Sequence, residues 1–163
     1  MKSTPKTNAM RQLDAAKIPY EVLTYEVDEN DLTGVHIASQ IGLPLDMVFK
    51  TLVAKGDKTG YLVFCIPVAA EIDLRAAAAL TGNKKIEMVH VKDLLGLTGY
   101  VRGGCSPIGM KKKFPTYFDA SAAAHEKITV SGGVRGAQLL IGREALVSFV
   151  GGMLIQATTD ASV

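Results

Sequence analysis

Two β-rich runs joined by a short polar turn set the strongest constraint on the fold. They extend over Met47–Lys55 and Tyr61–Val68, and the turn between them is Gly56-Asp57-Lys58-Thr59-Gly60. This pattern is typical of a β-hairpin with a longer loop. In the first run, both alternating sets of side chains are largely apolar, so we expect this strand to lie in the interior of a sheet.

Helical segments and further strands surround this hairpin along the chain. The first predicted helix begins at Thr4, ends before Pro19 and buries three apolar residues at helical spacing, which are Met10, Leu13 and Ala16. Helices are also predicted over Val35–Ile41, Asp73–Leu80, Val91–Leu97 and Arg143–Val150. The remaining predicted strands are Tyr20–Val27, Ile128–Ser131, Ala137–Ile141 and Met153–Thr158. Hairpin strands mixed with helices favour an α+β fold with a mixed sheet over a doubly wound parallel sheet.

The length and the charge balance exclude several classes of protein. The chain has 163 residues, of which 48% are hydrophobic and 21% charged, and this length fits one domain over 1–163. Lysine and arginine number 18 and aspartate and glutamate 16, so the net charge is +2, and no strong overall field draws the chain to nucleic acid or membrane. The sequence shows no membrane-spanning apolar run, signal peptide or CxxC pair, so we expect a cytoplasmic protein.

Motifs of several enzyme classes are absent from the sequence. It contains no P-loop, no GxGxxG and no HxH or HExxH pattern, so we expect neither a nucleotide cofactor nor a metal ion. The segment Gly104–Gly109 is one residue too long for GxSxG, so Ser106 is not expected to be a nucleophile. Cys65 lies in an apolar run, which favours a core position. Cys105 lies in a glycine-rich loop with no histidine near it in the sequence, which favours a structural role.

Lys50 is the first residue that suggests a function. Alternation places it with Val48 and Leu52 on one face of the interior strand. A lysine in that position loses water and requires an anion nearby, which would make it a binding residue. The alternative is a side chain that extends to solvent along the sheet surface, and the pattern alone fits both.

Two glycine-rich loops are further candidates. In Arg102–Gly109, adjacent glycines let backbone N–H groups approach a ligand or stabilise an oxyanion, and they equally suit a plain tight turn. Ser131–Gly136 joins two predicted strands, so its glycines also fit an ordinary hairpin. Its GxxG pattern occurs in RNA-binding KH domains, but there it joins two helices. Ser131 and Arg135 place a hydroxyl and a guanidinium beside this turn, which suits a sugar or a phosphate.

Lys84-Lys85 and Lys111-Lys112-Lys113 are the two basic runs of the chain. Either could contact a nucleic-acid backbone, because phosphates attract lysine side chains. Short basic runs are also common on solvated protein surfaces, and the sequence leaves both interpretations open.

The candidate motifs occur in one order along the chain. The order is Lys50-Thr51-Leu52, then Thr98-Gly99-Tyr100-Val101 leading into Gly103-Gly104-x-Ser106-Pro107-x-Gly109, then Val130-Ser131-Gly132-Gly133-x-Arg135-Gly136. Together with the opening Lys6–Met10 and the strand Tyr20–Tyr25, this order resembles the YbaK/EbsC family of Cys-tRNA(Pro) deacylases from Thr7 to about Ile155. These deacylases belong to the superfamily of the editing domain inserted in bacterial prolyl-tRNA synthetases.

The resemblance implies a fold, a reaction and partners. The fold would be α+β, a single editing domain over 1–163 with a mixed, barrel-like β-sheet flanked by helices. The reaction would remove cysteine wrongly attached to proline tRNA, with Cys-tRNA(Cys) as a further substrate, because a synthetase pocket separates cysteine from proline poorly. The partners would be the 3′ CCA end of aminoacyl-tRNA and prolyl-tRNA synthetase, with no cofactor or metal.

The resemblance also assigns site residues by position. Lys50 corresponds to the family's key lysine, near the terminal phosphate or the ester, and Gly103 and Gly104 correspond to the loop that faces the aminoacyl carbonyl. The substrate-binding positions would be Tyr20, Thr51, Ser106, Ser131, Gly132, Gly133, Arg135 and Gln138. The family lacks a protein nucleophile: the substrate cysteine's own thiol attacks its ester and leaves as a cyclic thiolactone. The enzyme would position the substrate and stabilise the oxyanion.

Three positions depart from the family pattern and bear on substrate choice. Val134 replaces a common lysine, Gln138 an acidic or hydroxyl residue, and Cys105 an aliphatic residue. Two other functions therefore stay open. One is a deacylase that prefers Ala-tRNA(Pro), and the other is a module that binds tRNA or a synthetase without catalysis.

Overall fold

Short helices and strands alternate throughout the part of the chain that the structure describes. The structure is a computed structural model, and it describes residues 5–160. The α-helices are α1 (Asn8–Ala15), α2 (Gly34–Ile41), α3 (Leu74–Thr81), α4 (Val91–Thr98) and α5 (Arg143–Phe149). The strands are β1 (Tyr20–Thr24), β2 (Phe49–Gly56), β3 (Gly60–Pro67), β4 (Ala70–Ile72), β5 (Ile86–Met88), β6 (Thr116–Asp119), β7 (Lys127–Ser131), β8 (Ala137–Gly142), β9 (Met153–Ile155) and β10 (Thr158–Asp160).

The predicted hairpin forms the centre of the largest sheet. Strands β2 and β3 pair antiparallel, with Lys50 opposite Ile66, in a five-stranded sheet of order β5-β2-β3-β6-β9. Strand β6 pairs parallel with β3 and with β9, so the sheet is mixed, as the sequence predicts. Strand β2 is an interior strand, which confirms the interpretation of its two apolar faces.

A second sheet joins the first through a single bridge. Strands β1, β8 and β7 form an antiparallel three-stranded sheet in that order. Val48, just before β2, makes an isolated parallel bridge to Thr129 of β7. A small pair of β10 with β4 completes the strands. The α+β class with mixed sheets is thus confirmed; no helix in residues 5–160 is long and apolar enough to cross a membrane.

The five-stranded sheet is covered on both faces, which explains why both faces of β2 are apolar. One face, with Phe49 and Val53, packs in a cluster with apolar side chains of β7, β8 and α1. The opposite face, with Ala54, packs with Leu62, Phe64 and the small residues of α3. Burial of apolar area on both sides supplies the main stabilisation of this layered arrangement.

Several predicted boundaries are wrong for reasons that lie in the tertiary structure. Helix α1 is capped by Thr7, whose hydroxyl accepts a hydrogen bond from the N–H of Met10; Thr4 lies outside the described residues. Ala9 takes the inner position expected for Ala16, which is exposed. Strand β1 ends at Thr24, not Val27, because its partner strand begins opposite that residue.

The predicted final strand Met153–Thr158 is in fact two strands. After β9 the chain changes sheets, and the carbonyl of buried Ala157 accepts a hydrogen bond from the N–H of Asp73. Three short strands, β4, β5 and β6, were not predicted. With three or four residues each, they are too short to show a two-residue alternation.

We expect Asn83→Ala to destabilise the hairpin tip. The buried Asn83 side chain accepts hydrogen bonds from the N–H groups of Lys58 and Thr59, at 2.9 and 3.0 Å. Loss of the amide leaves these donors without that acceptor, which costs about 1–3 kcal/mol. Urea unfolding measures the free energy, and Asn30→Ala, in an exposed turn, is the control. Equal stability of both variants would contradict this role of Asn83.

Candidate functional site

A cavity of about 430 Å³ opens beside the bridge between the two sheets. Its wall is formed by the start of β2, the N-terminal turn of α2, the loop that begins at Arg102 and the facing ends of β7 and β8. The lining residues are Leu32, Thr33, Gly34, Val35, Ile37, Val48, Phe49, Lys50, Thr51, Leu52, Val68, Arg102, Gly103, Cys105, Ser131 and Gln138. Lys50, Thr51, Gly103, Ser131 and Gln138 were predicted as site residues, and the fold brings them together here.

Lys50 supplies the cavity with a positively charged group. Its side chain is half-buried, and its Nζ donates a hydrogen bond to the carbonyl oxygen of Val68 at 3.3 Å. Burial lowers the pKa of Lys50, and Glu71 opposes that shift through its charge. Within residues 5–160, Lys50 forms no ion pair closer than 4.0 Å. The ammonium group therefore retains donors and charge for an anionic ligand or a developing oxyanion.

Ser131 and Gln138 line the same cavity as Lys50. They are cross-strand partners on β7 and β8, and the parallel bridge of Val48 with Thr129 places Lys50 and Ser131 two residues beyond it on their strands. The Ser131 hydroxyl accepts a hydrogen bond from a loop N–H, and the Gln138 Oε1 accepts one from Thr129, both at 3.2 Å. The hydroxyl proton and the amide Nε2 of this pair have no hydrogen-bond acceptor among the described residues.

The two glycine-rich loops that the sequence singled out pack against each other. The Nε of Arg135 donates to the carbonyl of Arg102 at 2.8 Å. A Cβ atom at Gly104 would lie 3.1 Å from backbone atoms of Val134 and Arg135, which is tighter than side chains normally allow. Glycine at position 104 therefore permits the close contact between the loops.

In the first glycine-rich loop, Arg102–Gly109, the backbone N–H groups available to a ligand differ from those predicted. The N–H of Gly104 donates to the carbonyl of Val101 at 3.0 Å, so it is already used inside the turn. The N–H groups of Gly103 and Cys105 have no hydrogen-bond partner within residues 5–160, and both residues line the cavity. Two such donors two residues apart suit the binding of an anionic oxygen.

Thr51 lines the cavity next to a buried thiol. Its Oγ1 lies 3.8 Å from the Sγ of Cys65 on the paired strand β3. The hydroxyl thus faces both the cavity and the protein interior, which fits a residue that shapes the cavity wall.

Other predicted site residues lie outside this cavity. The Tyr20 hydroxyl donates to Asp14 of α1 at 2.9 Å. Ser106 is 0% exposed, and its Oγ accepts a hydrogen bond from the N–H of Ile108. These contacts give both side chains a structural role in the surrounding packing.

Gly132, Gly133 and Arg135 support the second loop without lining the cavity. The carbonyl of Gly132 accepts a hydrogen bond from the Thr7 hydroxyl at 2.5 Å. Gly133 has a φ of +96°, and a Cβ atom there would lie 2.9 Å from the Tyr100 ring. Arg135 is half-buried at the rim, with its guanidinium anchored on the first loop.

Sequence reasoning missed the contribution of α2. Its N-terminal residues Gly34 and Val35 line the cavity, and Thr33 caps the helix by accepting from the N–H of His36 at 3.3 Å. A Cβ atom at Gly34 would come within 2.2 Å of Val68, so glycine lets the helix approach β3. The N-terminus adds a partial positive charge on the same cavity. The Thr33-Gly34 pair before the helix was the available signal.

Neither cysteine is an activated nucleophile. Burial raises the pKa of the Cys65 thiol to about 12 and that of Cys105 to about 11. Both thiols are therefore protonated at neutral pH. The burial of Cys65 in the main core cluster confirms the core position predicted for it. Within residues 5–160, no group of three or more His, Cys, Asp or Glu side chains could hold a metal ion.

Comparison with protein families supports an editing function for this type of domain. Residues 29–149 match the family model of the aminoacyl-tRNA editing domain, which is most of the chain and contains the whole cavity lining. The sequence is also 46% identical over 158 residues to EbsC of Enterococcus faecalis, a protein named as a proposed Cys-tRNA(Pro)/Cys-tRNA(Cys) deacylase. The match covers 97% of this chain and 96% of EbsC.

Solved structures share the fold at low sequence identity. The hypothetical protein APE2540 superposes with a TM-score of 0.84 at 20% identity, over 94% of this chain and 100% of its own. A protein described as a proposed trans-editing enzyme for prolyl-tRNA synthetase gives a TM-score of 0.79 at 21% identity, over 97% of this chain and 99% of its own. At this level of identity, the two structures establish the α+β fold.

We expect both native thiols to react slowly with iodoacetamide. An unperturbed thiol is about half ionised near pH 8.5, whereas Cys105, with a pKa of about 11, is almost fully protonated. Alkylation of Cys105 should be roughly hundredfold slower than that of glutathione at this pH, and that of Cys65 slower still. Peptide mass spectrometry of native and urea-unfolded protein measures both rates. Rapid native labelling of Cys105 would instead identify an activated thiol.

Proposed function

The chain belongs to the aminoacyl-tRNA editing domain family, and from that premise we propose that it is a Cys-tRNA(Pro) deacylase. It removes cysteine wrongly attached to proline tRNA, with Cys-tRNA(Cys) as a second substrate. One observation carries this proposal: the half-buried Lys50 lines one cavity together with Ser131, Gln138, Gly103 and Cys105, and the N–H groups of Gly103 and Cys105 have no partner within residues 5–160. EbsC, which is 46% identical, carries the corresponding name.

The aminoacyl ester of the terminal adenosine occupies this cavity in the proposed complex. Lys50 and the N-terminus of α2 bind a phosphate of the terminal nucleotide or the charge that develops at the ester. Ser131 and Gln138 offer a hydroxyl and an amide to the ribose or the base. These roles follow from the positive charge of Lys50 and the neutral polar groups of Ser131 and Gln138, which line the same cavity.

The substrate supplies the nucleophile in this proposal. The sulfur of the cysteinyl side chain attacks its own ester carbonyl, and a carbon–sulfur bond forms. The carbon–oxygen bond to the ribose then breaks, the thiol proton passes to the ribose oxygen, and a cyclic thiolactone leaves. The protonated state of Cys65 and Cys105 agrees with a reaction that needs no protein nucleophile.

Backbone donors stabilise the oxyanion of this step. The N–H groups of Gly103 and Cys105 are available at the cavity, whereas that of Gly104 is bonded to Val101. We therefore place the oxyanion against positions 103 and 105, with Gly104 as the residue that allows the loop its close packing. Lys50 adds a positive charge, and its partial burial reduces the solvent screening of that charge.

The proposed partners are aminoacyl-tRNA and prolyl-tRNA synthetase. A net charge of +2 gives modest attraction to a polyanion, so a synthetase that already holds tRNA would supply much of the selectivity. The fold neighbour described as acting with prolyl-tRNA synthetase supports the same pairing. Since aminoacyl-tRNA is used in translation, we propose that the protein acts in the cytoplasm.

We expect Lys50→Met to abolish deacylation without destabilising the fold. The change removes the charge but keeps most of the side-chain volume, and it relieves the desolvation that lowers the Lys50 pKa. Activity should fall by about 10²-fold or more, while the melting temperature stays equal or rises. The control is Lys55→Met, on the same strand, where the exposed ammonium lies 5.4 Å from the Tyr61 ring centroid. Retained activity in the Lys50 variant would remove this residue from the mechanism.

We expect the amino-acid preference to follow the thiol of the substrate. Cys-tRNA(Pro) should lose its amino acid rapidly, while S-methylcysteinyl-, alanyl- and prolyl-tRNA(Pro) should stay intact, because they have no free thiol to attack the ester. Release of labelled amino acid measures each rate, and mass spectrometry identifies the thiolactone. Loss of alanine would assign the protein to alanine editing. Tight binding of tRNA with no ester loss, with prolyl-tRNA synthetase present, would identify a binding module.

A further inference from the structure

A second cavity lies on the far side of the first glycine loop. Its volume is about 280 Å³, and it is lined by residues that include Pro107, Gly109, Lys112, Lys113, Phe114 and Phe149. None of its lining residues also lines the cavity that contains Lys50. The loop between Arg102 and Gly109 separates the two cavities: Gly103 faces one, and Pro107 and Gly109 face the other.

The second cavity is positively charged and carries no acidic side chain in its lining. Lys112 and Lys113 are exposed, and within residues 5–160 neither takes part in an ion pair or a side-chain hydrogen bond. The other basic run differs, since Lys85 forms an ion pair with Glu87 at 2.9 Å. Unpaired lysines at a concave surface suit a phosphate-bearing ligand.

Half-buried apolar side chains lie beneath these lysines. Met110, Phe114 and Phe149 pack against the main core and still contribute surface to the cavity. A positively charged groove with aromatic rings is the arrangement that binds single-stranded nucleic acid, because phosphates pair with lysine and bases stack on rings. The chemistry of this cavity thus differs from that of an ordinary solvated lysine run.

The first glycine-rich loop offers a short path for an RNA strand between the two cavities. Arg102 in this loop, and Arg135, whose Nε donates a hydrogen bond to the carbonyl of Arg102, add positive charge along it. From Gly103 to Gly109 the chain spans at most about 20 Å, a short distance for an RNA strand to cross.

We propose that the second cavity binds the single-stranded 3′ end of the tRNA, just upstream of the nucleotide whose ester lies beside Lys50. Lys112 and Lys113 bind backbone phosphates, and the ring of Phe114 or Phe149 contacts a base. This inference rests on the proposed deacylase function, because it assumes that the terminal adenosine occupies the first cavity. It assigns a role to the basic run Lys111-Lys112-Lys113, for which the sequence alone left two interpretations open.

The test compares two double variants of equal charge change. Lys112→Ala with Lys113→Ala removes the proposed contacts. Lys84→Ala with Lys85→Ala removes the other basic run, which lies near the hairpin tip, where Asp57 accepts hydrogen bonds from both backbone N–H groups. That tip is six residues along β2 from Lys50, or roughly 20 Å.

Two substrates separate a tRNA contact from an effect on the reaction itself. On Cys-tRNA(Pro), kcat/KM of the Lys112/Lys113 variant should fall about tenfold at moderate salt. The slope of log kcat/KM against log salt concentration should become less steep by roughly 1.4, for the loss of two single-strand phosphate contacts. On the 3′-cysteinyl ester of adenosine, which lacks upstream phosphates, both variants should match the wild type. An equal loss on both substrates, or equal kcat/KM of the two variants on tRNA, would overturn the proposal.

Binding of a short RNA tests the cavity without catalysis. A fluorescent single-stranded oligonucleotide ending in CCA should bind the Lys112/Lys113 variant about tenfold more weakly than the wild type, by anisotropy, and bind the Lys84/Lys85 variant normally. Unchanged binding of this oligonucleotide would overturn the single-strand assignment, even if binding of whole tRNA weakened. If the wild type cleaved no ester, the proposed deacylase function would fail, and this comparison would still decide whether the second cavity binds RNA.

Discussion

The parallel bridge between Val48 and Thr129 is the contact on which the rest of the structure depends. It joins the three-stranded sheet to the five-stranded sheet through one pair of residues. Both residues are almost fully buried, Val48 also accepts a hydrogen bond from the N–H of Val68 at 2.8 Å, and Thr129 bonds to Gln138. Because the strands pair for a single bridge and then separate, a cavity opens immediately beyond it. Lys50 and Ser131, each two residues beyond the bridge on its strand, therefore line the same cavity.

Close approach of backbone segments determines which groups are available in that space. Glycine at positions 34 and 104 allows α2 to contact Val68 and the two glycine loops to contact each other. In consequence the cavity contains several backbone N–H groups and one lysine, and the described part of the chain places no carboxylate in its lining. Lys50 bears an energetic penalty in this position, since burial lowers its pKa. A group that opposes folding in this way is expected at a site that binds or stabilises negative charge.

Local sequence patterns predicted the parts of the fold that depend on neighbouring residues. The interior position of Lys50 followed from alternation along β2, and helices α2 and α3 begin and end within one residue of their predicted ranges. The site depends on contacts between distant segments, which no local pattern contains. Gly104 was predicted to donate its N–H to a ligand, but the turn itself uses that N–H. The position of α2 over the cavity and the second cavity beside Lys112 likewise follow from packing rather than from spacing.

The size of the first cavity bears on how such a site could discriminate between amino acids. A space of about 430 Å³ is large for an aminoacyl group alone, and in the proposed complex a nucleoside shares it, so the fit around a small side chain is loose. Cysteine, alanine and proline differ by little volume, and apolar pockets separate such groups by only 1–3 kcal/mol, or about 10- to 200-fold. A chemical requirement is stricter, because an ester without a thiol has no intramolecular nucleophile, and the thiols of the site are themselves protonated. In the proposed mechanism the prolyl ester stays intact because proline has no thiol. The protein then needs only to hold the ester and stabilise its oxyanion.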